Sequence, residues 1–135
     1  MAPPETTVFI VDDDPAIRAA LSRLFKLAGL AAQSFGCARE FLAQAPNLGP
    51  GCLILDHGLP DLSGLELQAE LARIGIGLPV IFLTAHGSEP LRAKALQAGA
   101  VGFLEKPVHD QALLTMVFQA MERDNRPITG LGPPK

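Results

Sequence analysis

Four short apolar runs, each stopped by a polar residue, constrain this chain more than any other feature. Val8-Phe9-Ile10-Val11 stops at Asp12-Asp13-Asp14, Cys52-Leu53-Ile54-Leu55 at Asp56, and Val80-Ile81-Phe82-Leu83 at Thr84. Val101-Gly102-Phe103-Leu104 stops at Glu105, with Lys106-Pro107 next. Runs this short, apolar at successive positions, read as strands covered on both faces. Their ends carry acid, acid, hydroxyl and ammonium.

The stretches between them carry turn signals and helical spacing. Asp14 before Pro15 is a helix start: the carboxylate caps free amides, and proline at the first helical position loses no hydrogen bond. Ile17, Leu21, Leu24 and Ala28 then define one apolar face, and Gly29 closes the helix. Leu30–Phe35 reads as a second strand, less apolar and so nearer an edge. Ala38–Ala45 reads as a short helix and Pro46–Pro50 as a loop. Gly51–Leu55 is the third strand, followed by a loop over Gly58–Leu62. Ser63 with Glu66 forms a capping box for a helix whose core stripe is Leu67, Leu71 and Ile74. Leu78–Leu83 is the fourth strand. Glu89-Pro90 opens a helix that ends near Gly99, and Val101–Leu104 is the fifth strand. Asp110 caps a last helix with Leu114, Val117 and Met121 inward.

Strand and helix in alternation predict an α/β fold: a doubly wound parallel sheet with helices on both faces. In such sheets ligands sit outside the carboxyl ends of the strands, where the strand order reverses. A chain of 135 residues, 48% of them hydrophobic, suits one such domain with a packed core. Residues 7–123 are assigned to it. Residues 1–6 are expected to be a disordered N-terminus, and 124–135, rich in Gly and Pro, a flexible tail or the start of a linker.

Net charge is -3, with no basic stripe for nucleic acid. No apolar stretch is long enough to span a membrane, and Met1-Ala2-Pro3-Pro4-Glu5 does not open a signal peptide. A cytoplasmic protein is expected. Cys37 and Cys52 form no C-x-x-C pair, and a reducing compartment would leave both as thiols. Cys52 reads as a small core residue, Cys37 as a half-buried turn residue.

If Asp12, Asp13 and Asp56 converge, they repel. At ~5 Å and an effective dielectric of ~20 each charged pair costs about 3 kcal/mol. A proton or a cation must neutralise the cluster. Oxygen ligands with no His or Cys set favour Mg²⁺. Capping is the plain alternative, but Asp14 already fills that role. A carboxylate can attack phosphorus to form an acyl phosphate, whose equatorial charge needs preorganised donors. Lys106 and Thr84 offer them. Singly, Thr84 reads as a strand-end residue and Lys106 as a solvated lysine; their joint placement is the argument. His57 and His86 raise the thought of a transition metal, which the carboxylate-rich set disfavours. His109 reads as solvated.

The pattern Ile10-Val11-Asp12-Asp13-Asp14-Pro15, Leu55-Asp56, Leu59-Pro60-Asp61-Leu62-Ser63-Gly64, Leu83-Thr84-Ala85-His86 and Lys106-Pro107 resembles the receiver domain of bacterial two-component response regulators. The resemblance runs from about Thr7 to Glu122, and Leu83–Gly87 with Gly99–Pro107 look most like receivers of the FixJ type. It implies a CheY-like, flavodoxin-like five-stranded sheet in the order 2-1-3-4-5. By the same resemblance Asp56 is the phosphoacceptor. Asp13 and the Gly58 carbonyl join Asp56 in holding Mg²⁺, with Asp12 acting through water. Lys106 and Thr84 contact the phosphoryl group, and the Lys106–Pro107 peptide is cis. Thr84 and Phe103 form the switch, and Gly58 with His86 tunes the phosphoryl lifetime. The implied partners are a sensor histidine kinase and, when phosphorylated, a second copy through residues 88–122, the face of the fourth helix, fifth strand and fifth helix.

Two other readings fit parts of the chain. Asp12-x-Asp14, Thr84 and Lys106 resemble the motif order of haloacid-dehalogenase-type phosphatases, but Pro15-Ala16 departs from it and no later acidic pair follows. A receiver-like interaction module that is never phosphorylated is the other. No helix-turn-helix pattern follows residue 123, so DNA binding is not expected of this chain. Both a stand-alone regulator and a receiver cut from a transcription factor remain open.

Overall fold

The computed structural model of the protein describes residues 6–124. Expectations for residues 1–5 and 125–135 lie outside the described residues. Five strands alternate with five helices: β1 (Thr7–Val11), α1 (Pro15–Leu27), β2 (Ala31–Phe35), α2 (Ala38–Gln44), β3 (Gly51–Leu55), α3 (Gly64–Arg73), β4 (Val80–Thr84), α4 (Glu89–Gln97), β5 (Gly102–Glu105) and α5 (Asp110–Asp124). All sheet pairings are parallel, in the order β2-β1-β3-β4-β5. The expected topology is borne out. β2, with Gln33 and Ser34 exposed, lies at one edge.

Side-chain alternation along the strands divides the core in two. Phe9, Val11, Leu53, Leu55, Val80 and Phe82 face α2, α3 and α4, where Phe41, Leu67 and Leu71 meet them. Val8, Ile10, Cys52, Ile54, Ile81 and Leu83 face α1 and α5, meeting Leu21, Phe25, Leu113 and Val117. β1 and β3 are aligned so that Val11 lies beside Leu55. That register brings Asp12 and Asp56, the next residue of each, to the same level.

Local chemistry explains most boundaries. Asp14 accepts from the Ala16 amide at 2.9 Å and starts α1. Gly29, at φ 84°, takes the left-handed conformation that closes α1, a region L side chains rarely enter. The Ser63–Glu66 capping box forms in both directions, at 3.1 and 2.9 Å.

Several expectations need correction. Ile74 is not on the core stripe of α3: it is the C-cap, 38% exposed, because the helix ends one residue before it. In α5 Leu114, Val117 and Met121 do face the core, Leu114 half-buried, but the stripe also includes Leu113, which is fully buried and was not foreseen. The α1 stripe includes Phe25, fully buried, which the four-three-four spacing missed. Ala45–Asn47 forms a short 3-10 turn, where a loop was expected from Pro46 onward. β4 begins at Val80 rather than Leu78 and includes Thr84, and β5 is Gly102–Glu105.

Candidate functional site

The site lies at the carboxyl end of the sheet. Ladder bonds continue past β1, β3 and β5: the amide of Asp12 donates to Phe35 O at 3.2 Å, that of Asp56 to Val11 O at 3.0 Å, and that of Lys106 to Thr84 O at 2.9 Å. The backbone therefore sets these residues before their side chains make a contact. Asp12, Asp56 and Thr84 are buried, at 3%, 8% and 3% exposure.

Carboxylate oxygens of Asp12, Asp13 and Asp56 all lie within 4.8 Å of one another. Asp13 is exposed and closes the cluster toward solvent. Lys106 Nζ donates to Asp12 Oδ2 at 2.8 Å and stands 3.6 Å from Asp56 Oδ2. Burial draws the Lys106 pKa down, but its hydrogen bond to Asp12 and the charges of Asp56 and Asp12 outweigh that and hold it above the usual ammonium range. Lys106 thus stays charged at any physiological pH. One ammonium facing three carboxylates leaves net negative charge. Oxygen donors alone, without imidazole or thiolate, fit a hard divalent cation. The cluster could hold a metal.

The remaining anticipated residues surround it. Gly58 is exposed, and its amide donates weakly to Asp56 Oδ1 at 3.4 Å. The amide of His86, an exposed residue, donates to Thr84 Oγ1 at 3.4 Å. Phe103 is half-buried and stacks on Phe82, ring centres 5.9 Å apart and planes 24° apart. The Lys106–Pro107 peptide bond is cis. An apolar groove of about 410 Å³, walled by Ile17, Leu21, Leu83, Pro107, Val108 and Leu113, flanks Lys106. His57 is half-buried and His109 exposed, and neither belongs to the acidic cluster.

Two supporting residues were not foreseen. Arg18 Nη1 donates to the Asp12 carbonyl at 2.8 Å, tying α1 to the end of β1. Asp61, quoted in the motif but given no role, reaches α2: its carboxylate accepts from Ala38 N at 3.0 Å and Arg39 N at 2.8 Å. It also accepts from Leu62 N at 3.0 Å. Burial opposes ionisation of Asp61, yet the amides of Arg39, Ala38 and Leu62 prevail and bring its pKa down to about 2. A signal existed: Cys37, before α2, provides no capping side chain, so the cap had to come from elsewhere.

The response regulator receiver domain model matches residues 8–118, most of the chain. The chain belongs to this family. It is 48% identical over 119 residues to nodulation protein W of Bradyrhizobium diazoefficiens, covering 88% of this chain and 52% of that protein. It is 40% identical over 117 residues to the transcriptional regulatory protein FixJ of Rhizobium meliloti, covering 87% of this chain and 55% of the relative. The crystal structure of FixJ-N superimposes with a TM-score of 0.82 at 38% identity, covering 89% of this chain and 96% of that one. The receiver spans about half the length of the curated relatives it matches. Membership in this family displaces the phosphatase reading, and Asp14, its would-be acid/base, is occupied as the cap of α1. Among the described residues no helix is long and apolar enough to cross a membrane.

Proposed function

We propose that this receiver accepts a phosphoryl group on Asp56 from the phosphohistidine of a sensor histidine kinase. One observation carries the reading: three carboxylates from two neighbouring strand ends converge within 4.8 Å, with a lysine ammonium hydrogen-bonded into the cluster. An Asp56 carboxylate oxygen attacks phosphorus in line. An O–P bond forms, the P–N bond to the donor imidazole breaks, and the imidazole leaves with its electron pair and takes up a proton. Asp12, Asp13, Asp56 and the Gly58 carbonyl would hold Mg²⁺, which supplies charge neutralisation on the equatorial oxygens when bound. Lys106 and Thr84 contribute an ammonium and a hydroxyl to the same oxygens. Hydrolysis of the acyl phosphate follows at a rate tuned at Gly58 and His86, which border the site on its open side.

The phosphoryl group adds charge. Thr84 turns toward it and Phe103 changes its packing on Phe82, which couples the site to α4, β5 and α5. Residues 88–122 then present the pairing face for a second copy; Phe118 on α5 is already 44% exposed there. We place the chain in the cytoplasm, where the thiols of Cys37 and Cys52 stay reduced. FixJ is a transcriptional regulatory protein; this receiver serves a transcriptional output where it is joined to a DNA-binding region, and acts as a stand-alone regulator where it is not.

Incubation with acetyl phosphate and Mg²⁺, read by phosphate-affinity electrophoresis and peptide mass mapping, tests the assignment. Label is expected on Asp56 and should be abolished in Asp56→Asn. Label persisting in that variant would overturn it, and no label on the parent chain would favour a module that is never phosphorylated.

A further inference from the structure

We infer that Asp61 is a positioning residue for the cation site: it clasps the loop after β3 to α2 and so fixes the Gly58 carbonyl beside Asp56. The inference rests on the function proposed above, because it concerns the same cation.

The loop between Asp56 and α3 is short and held at both ends. At its base the Gly64 amide donates to His57 O at 2.9 Å. Only glycine fits there: a Cβ would lie 2.7 Å from Phe82 Cε2, 2.9 Å from His57 Cα and 3.0 Å from Asp56 O. At its far side Asp61 is the anchor. Both its carboxylate oxygens are engaged, Oδ1 by Ala38 N and Leu62 N and Oδ2 by Arg39 N. The partner amides are the first two of α2, which its preceding residue Cys37 leaves uncapped. Charge-assisted bonds to free helix amides are among the stronger local ties. Leu59 and Leu62 pack against the core layer beneath the loop. Gly58 itself is exposed and bonded only weakly, at 3.4 Å. With so weak a tie of its own, Gly58 depends on its loop neighbours for its position. Arg39 adds little through its side chain, which is 72% exposed and 3.9 Å from Asp61. The backbone amides therefore carry the clasp.

Removing the clasp leaves every acidic ligand in place but frees one side of the loop. Outer-shell supports of this kind commonly change metal affinity by about 10–100-fold. The full chain lacks Trp and Tyr, so intrinsic fluorescence is silent and calorimetric titration with MgCl₂ is the direct measurement. Asp61→Ala should weaken Mg²⁺ binding about tenfold or more. With acetyl phosphate it should raise the Mg²⁺ needed for half-maximal labelling by a similar factor, and leave the rate at saturating Mg²⁺ close to the parent's. Arg39→Ala, which keeps the backbone amide, should bind Mg²⁺ like the parent. Val117→Ala, which opens a cavity on the opposite layer, should lower the unfolding midpoint without changing Mg²⁺ affinity. Parent-like affinity in Asp61→Ala, or an equal loss in Val117→Ala, would overturn the inference alone. Absence of Mg²⁺ binding by the parent would overturn both the inference and the reading beneath it.

Discussion

The two halves of the sheet's carboxyl end are built differently. Around β1 and β3, polar groups are fixed by several partners each. Asp12 accepts from Asp14 N and Lys106 Nζ, and its carbonyl accepts from Arg18. The loop after β3 is held by Gly64 and by Asp61. Around β4 and β5, Lys106 apart, the side-chain ties among the described residues are few. Thr84 Oγ1 has one long contact at 3.4 Å, Phe103 is half-buried, and in α4 only Leu91 and Ala95 are buried. One buried amide, Gln68, joins α3 to α4 through Ala95 O at 3.0 Å. A site that must stabilise developing charge gains from donors set in advance. A segment that must change conformation needs a small difference between its two states. The contrast fits a chemical half that is preorganised and a responding half that is lightly held.

Breaking the chemical half should have the largest effects. Lys106→Ala removes the one ammonium that stands close to Asp56 among the described residues, so the rate of labelling by acetyl phosphate is expected to fall by roughly 100-fold or more. A fall of a few-fold, measured by stopped time-course electrophoresis, would show that the ammonium is incidental. Gly64→Ala forces a methyl against Phe82 and the His57 backbone and should destabilise the fold by about 1–3 kcal/mol, read by urea unfolding.

Asp61 offers a milder test with a defined pH signature. Its folded pKa, about 2, lies below the ordinary value of about 3.9. Its contribution is therefore complete above the ordinary value and fades as pH falls through about 2. Asp61→Ala should cost about 1 kcal/mol near neutral pH. The gap from the parent in urea unfolding should close toward pH ~2. A gap that is constant with pH would mean the carboxylate's charge is irrelevant. The smallest effect is expected on the responding side. Gln68→Leu deletes one hydrogen bond but also buries no unpaired Oε1, and Ala95 O keeps its bond from Ala100 N at 3.0 Å. Stability should change by less than about 1 kcal/mol. Amide exchange in residues 89–97 should quicken while Mg²⁺ affinity holds. Coupled loss of both would erase the distinction between the halves.

Much of this was legible in the residues. Apolar runs stopped by Asp12, Asp56, Thr84 and Lys106 announce strand ends, and Asp14-Pro15 and Ser63-x-x-Glu66 announce helix starts, because these signals are local. Other features were not. Asp61 caps a helix that begins 23 residues earlier in the chain, and capping rules look only a few residues away. Leu113 and Leu114 are both apolar and both pack on the same core layer, and only the docking of α5 decides that Leu113 is the fully buried one. Ile74 continued the spacing of α3, but the helix stopped first.

The chain by itself determined the order of strands and helices and which residue stands at each strand's end, since backbone preference and apolar spacing act within a few positions. No local signal in the residues decided that β1 lies between β2 and β3, an order expected only by resemblance, and tertiary structure alone decided that Lys106 bonds to Asp12 across 94 residues. The neighbour relation follows from crossovers and from covering both sheet faces at once. Those are properties of the whole packed molecule, so no single segment contains them.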